Sequence, residues 1–105
     1  MTKTKIKFDK VVIVKSDRDK KFKAVFTNKE GKKKTIHFGA KGMSDFTIHK
    51  DEDRKRRYLA RHNPKVTKEN WSVPDTPASL SRWILWNKKS YNDSLKDYKK
   101  RFNLK

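Results

Sequence analysis

Apolar and polar positions alternate along the first half of the chain and recur at helical spacing along the second. Residues 5–15, KIKFDKVVIVK, contain four branched side chains in a row, Val11, Val12, Ile13 and Val14, which favour extended backbone. The polar stretch SDRDK follows as a turn. In residues 21–27, KFKAVFT, strict alternation puts Phe22, Ala24 and Phe26 on one face of a strand. NKEG supplies a hairpin turn, and KKKTIHF at 32–38 resumes a strand. DFTIH at 45–49 is predicted to add a short fourth.

The period then changes. Asp51 is expected to cap a helix that runs to about His62 and stops at Asn63–Pro64. Tyr58, Leu59 and His62 share a face of it with the stem of Lys55. Thr76 followed by Pro77 starts a second helix through ASLSRWILWNK. Ser90, with Asp93 three residues later, resembles a capping box and opens a last helix to about Asn103. There Tyr91, Leu95, Tyr98 and Phe102 recur at helical spacing. Strands first and helices afterwards predict an α+β fold, an antiparallel meander of three to four strands followed by three helices. Residues 1–105 read as one domain, with 1–4 as a flexible tail.

Charge narrows the partners. The chain holds 30 Lys/Arg against 12 Asp/Glu, a net charge of +18. Basic residues outnumber acidic ones in every third of the chain: thirteen to four in 1–38, nine to five in 39–71 and eight to three in 72–105. A whole surface of one sign seeks a polyanion, with nucleic acid first, an anionic membrane second and an acidic protein third. A hydrophobic content of 32% would suit disorder, but three Trp, three Tyr and six Phe argue for a folded, aromatic core. The absence of cysteine excludes disulfides, zinc–thiolate sites and thiol catalysis. No apolar run approaches the ~20 residues of a membrane span, and no signal peptide is visible. The chain is therefore expected to be soluble and intracellular, or packaged after synthesis in a cytosol.

Candidate chemistry centres on residues 37–62. Asp51, Glu52 and Asp53 each precede Lys55, Arg56 and Arg57 by four residues, the spacing of helical ion pairs. Lys50, Arg54 and Arg61 have no such acid and are left for phosphates. GAKG at 39–42 has the form of the glycine loop with which KH domains clamp a nucleic-acid backbone, and Lys41 would add charge. Because it follows a strand instead of joining two helices, a turn is the first reading and a phosphate cradle the second. Lys32, Lys33 and Lys34 read as outer strand positions that protect an edge and add to a diffuse footprint.

Leu80, Trp83, Ile84 and Asn87 make one stripe, which assigns Trp83 to the core. Leu85 and Trp86 fall outside it, so the helix is either buried between layers or shared with a second subunit, and the two residues are predicted as a homodimer interface. Trp71 is expected to anchor its connection to the body. Asp45, His49 and Asp51 could in principle hold a metal for a nuclease, the third and weakest reading. Otherwise no catalytic residue, cofactor or metal is expected.

HFGAKGMSDFTIHKDEDRKRRYLARH, then ENW, SLSRWILWNKKS and YKKRF, resemble a family of small basic proteins encoded by large nucleocytoplasmic DNA viruses, marseillevirus-like ones in particular. The resemblance spans roughly residues 30–105 and carries no catalytic positions. It implies a viral gene product carried in the virion, and present in host cytoplasm or nucleus during infection. Charge and resemblance together lead to an expectation of non-catalytic, largely sequence-independent binding of nucleic acid, double-stranded viral DNA above all. Lys32, Lys33, Lys34, Lys41, Lys50, Arg54 and Arg61 would contact phosphates. The alternative is a virus–host interaction factor that binds protein through an aromatic surface.

Overall fold

The branched run and the two alternating runs form a three-stranded antiparallel sheet in a computed structural model that describes residues 8–67 and 70–105. Strands β1 (Lys10–Lys15), β2 (Lys20–Thr27) and β3 (Lys33–Ala40) lie in that order. Residues 5–7 of the expected first strand, and the tail 1–4, lie outside the described residues. Pairing sets Val11 opposite Phe26, Ile13 opposite Ala24 and Phe22 opposite Phe38. One face therefore collects Val11, Ala24, Phe26 and Phe38, none more than 1% exposed. Val12 and Val14 point the other way and stay exposed, as on a sheet with one wet face. The edge strand β1 is covered at one end: Val11 N–H donates to the Lys105 carbonyl and Lys105 N–H to that of Asp9.

The expected fourth strand is a helical turn. Asp45 takes extended backbone, and its carboxylate accepts the Thr47 N–H and hydroxyl. That cap starts α1 (Phe46–His49). Phe46 drops into the core while Ile48, which a strand would have placed on the same face, remains exposed. Asp51 then caps α2 (Glu52–Arg61) as expected, accepting N–H groups from Asp53 and Arg54. A further short helix, α3 (Pro64–Thr67), begins at the proline expected only to end its predecessor. Proline suits a first helical position because its missing N–H has no partner to lose there.

Thr76 and Pro77 open α4 (Pro77–Leu80) as predicted, but the helix runs on as a π turn, Ser81–Leu85, with Trp86 N–H reaching the Ser81 carbonyl at 3.0 Å. The wider turn inserts one residue and shifts the phase of every side chain after it. Leu85 and Trp86, outside the stripe of a regular helix, are thereby turned into the chain's own interior. They are only 2% and 9% exposed. The surface assigned to a homodimer is covered by the same chain. Trp83, assigned to the core, is half-buried instead.

Ser90 caps α5 (Tyr91–Arg101), whose apolar stripe packs on the buried sheet face. Tyr91 stacks on Phe22, and the hydroxyl of fully buried Tyr98 donates to the Pro74 carbonyl at 2.7 Å. Burial pushes the Tyr98 phenol far up, so it stays protonated and keeps that bond. Among the described residues no helix is long and apolar enough to cross a membrane.

Candidate nucleic-acid interface

Helix α2 divides its basic residues by face. Lys55 points inward: its ammonium donates to the Asn87 carbonyl at 2.6 Å and lies 4.8 Å from the centre of the Phe46 ring. Desolvation first, and the neighbouring Arg82 charge second, lower its pKa. The expected ion pairs at four-residue spacing give way to other partners. Asp51 is taken up by the cap, Asp53 pairs with Arg56 three residues on, and Glu52 reaches Lys89. Arg57, which appeared occupied by Asp53, is thus left to the outer face.

Arg54, Arg57 and Arg61 fall at i, i+3 and i+7, so they share one face with Tyr58. No hydrogen bond or ion pair to the described residues holds the guanidinium of Arg54 or Arg61. All three arginines line a cleft of about 500 Å³. Its other wall comes from the end of β3 and the loop after it, with Gly39, Ala40, Met43 and Ser44. Leu85 and Trp86 of the π turn close the bottom. Lys21 also lines it, paired with buried Asp45 at 2.6 Å. Asp45 is the one acid among the described residues along these walls, and its oxygens are already engaged by Lys21 and Thr47.

A column of rings supports the arginine face. Tyr58 lies between Trp86, at 4.1 Å between centroids, and His62, at 4.2 Å. His49 tilts against Trp86 at 5.3 Å. The column fixes α2 against the π turn and so sets where its arginines stand.

GAKG meets this cleft from the opposite side. Met43 N–H closes a turn on the Ala40 carbonyl, and Gly42 takes φ +81° in it, a value that favours glycine. Gly39 also has positive φ, and a side chain there would press on Leu85 at 3.0 Å and Lys21 at 3.2 Å. The segment is a turn, with Gly39 and Ala40 on the cleft wall and the exposed Lys41 outside the lining.

The other candidates lie apart. Lys50 ends α1 with φ +55°, and its ammonium donates to the carbonyls of Thr47 and Lys89. Lys32, Lys33 and Lys34 sit at the far end of β3, about 20 Å of strand from Gly39. Lys34 is paired there with Asp75 at 2.9 Å. The proposed nuclease trio serves as structure: Asp45 and Asp51 cap helices, and His49 Nδ1 accepts the Asp51 N–H. Among the described residues no three His, Asp or Glu side chains gather to hold a metal. Of the residues that line the cleft, the sequence singles out Arg54 and Arg61, while Arg57, Lys21, Tyr58 and Met43 join them only in the structure.

A second groove, of about 560 Å³, is lined by Pro64, Trp71, Trp83, Arg101 and Phe102 among others. Guanidiniums of Arg82 and Arg101 cover the Trp83 ring at 4.1 and 3.8 Å, and the indole N–H donates to the Trp71 carbonyl. Trp71 does anchor its connection.

Residues 11–62 match the model of a family described as Family of unknown function (DUF5754). That segment holds the sheet, α1 and α2, and every cleft residue except Ser81, Leu85 and Trp86. The chain is also 36% identical over 78 residues to an uncharacterized protein of Acanthamoeba polyphaga mimivirus, a match covering 70% of this chain and 78% of that protein. The relative is thus a giant-virus protein, from a mimivirus where the resemblance had pointed to marseillevirus-like viruses. No solved structure matches the chain.

Proposed function

For this chain, which belongs to the Family of unknown function (DUF5754), we propose non-catalytic, largely sequence-independent binding of nucleic acid through its backbone phosphates. The carrying observation is the arginine face of α2: Arg54, Arg57 and Arg61 together on a cleft whose one acid among the described residues is paired with Lys21. Neighbouring side chains on such a face stand about 5–6 Å apart at Cβ. Planar guanidinium forks match phosphate oxygens two at a time. A cleft lined by one sign of charge also concentrates the field toward its mouth. Helix α2 has no Asn or Gln with which to pair an adenine edge, which favours backbone contact over base readout. Carriage with the genome in a giant-virus particle, marseillevirus-like or other, belongs to the same proposal, and double-stranded DNA is the polyanion that the overall charge of +18 suits.

Retention on immobilised DNA tests it. The protein should be held at low salt and released by salt, and Arg54→Ala/Arg61→Ala should elute earlier than Lys32→Ala/Lys33→Ala, which removes equal charge far from the cleft. Equal elution of the two variants would remove α2 from the interface.

The Trp71–Trp83 groove favours a second reading, binding of an acidic, aromatic-seeking segment of a host protein. Retention on acidic proteins but not on DNA would promote it.

A further inference from the structure

A duplex backbone needs only an exposed row of cations. Here the row stands on the rim of a cleft of about 500 Å³, within the ~300–1,000 Å³ typical of ligand pockets, and the cleft is two-sided. The α2 side is cationic. The side formed by β3 and its following loop is small and apolar at Gly39 and Ala40, and ends in Met43, 65% exposed at the loop. Leu85 and Trp86 continue that apolar surface at the bottom, while Ser44 and Ser81 add hydroxyls that both donate and accept.

We infer that this cleft takes one unpaired nucleotide of a strand, its phosphate on Arg54, Arg57 and Arg61 and its base against the Met43–Ala40–Leu85 wall. The inference rests on the phosphate-binding reading and narrows it. Paired bases are stacked inside a duplex and cannot enter a pocket, whereas a single-stranded or extruded base can. Apolar contact with the flat of a base is tolerant of sequence, and the hydroxyls suit any base edge. Met43 is fitted to the task because an unbranched thioether adapts its shape to a variable partner. The ring column behind α2 holds the phosphate side fixed while this softer side adjusts.

The experiment compares three probes of equal strand length: oligothymidylate, the same backbone with every base removed, and a blunt duplex. Oligothymidylate should bind about fivefold or more tighter than the abasic strand, which has the same phosphates. Met43→Gln should reduce that ratio to about twofold or less, leaving abasic-strand affinity and melting temperature unchanged, because an exposed side chain contributes little to folding. Equal binding of thymidylate and abasic strands would overturn the nucleotide cleft while the phosphate reading stood. A ratio that Met43→Gln does not move would also overturn it, by placing the base elsewhere. Failure of all three probes to bind would remove the phosphate reading and the inference together.

Discussion

Tyr58 lies flat against Trp86, with ring centroids 4.1 Å apart and planes within 4° of parallel. This one contact joins the helix that carries the arginines to the π turn that closes the cleft. It also decides what Trp86 is for. A tryptophan waiting for a second subunit could be truncated with little effect on the monomer. Trp86→Ala should instead lower the unfolding free energy by about 3–5 kcal/mol, the range for deleting a large buried ring. Urea denaturation measures it, and a loss below about 1 kcal/mol would return the residue to the surface.

The two glycines of GAKG should separate by mechanism. Gly42→Ala has space for its methyl and meets only the strain of left-handed backbone, about 1–2 kcal/mol. Gly39→Ala meets the same strain and also forces Leu85 and Lys21 aside, so it should cost more. Lys41→Glu, by contrast, should leave the melting temperature almost unchanged. Equal losses for the two glycine variants would mean that the close approach at Gly39 is unimportant.

Much of the framework was legible. The strands, the caps at Asp51, Thr76 and Ser90 and the stripe of α5 are all local patterns, and local patterns are what a sequence displays. DFTIH misled because Phe46 and Ile48 alternate like a strand, while the deciding event is a side-chain bond from Asp45 that outweighs five residues of pattern. The π turn has no sequence signature of its own, so Leu85 and Trp86 looked surplus. At the site, Arg54 and Arg61 were legible by elimination of acidic partners. Arg57 was not, because Asp53 could serve either of two arginines and spacing cannot choose between them. Lys21 and Met43 reach the cleft only through the turn of the sheet, which no local pattern encodes.

Stability should fall in acid partly through Asp97. Partial burial pushes its carboxyl up, but the Asn87 amide at 2.7 Å, then the bond and charge of Arg101, outweigh that and hold its pKa below the ordinary value. A carboxyl depressed on folding stabilises the protein above its unfolded pKa, and that contribution is lost as pH falls through the folded value. Asp97→Asn should therefore flatten the decline of melting temperature as pH falls below about 4, the ordinary carboxyl range. An unchanged decline would show that Asp97 is not among the groups responsible.

The salt dependence of binding tests backbone recognition most directly. Each phosphate neutralised on duplex DNA adds about −0.9 to the log–log slope of affinity against salt. With about six phosphates engaged, the slope should be near −5, about a thousandfold loss between ~50 and ~200 mM salt. Arg54→Ala/Arg61→Ala should bring it to about −3.6, since two of those contacts are gone, and unrelated sequences should differ far less than the ~10³ or more of specific readers. A parent slope of about −1 or shallower, or one that the double variant leaves unchanged, would contradict phosphate binding by the α2 face.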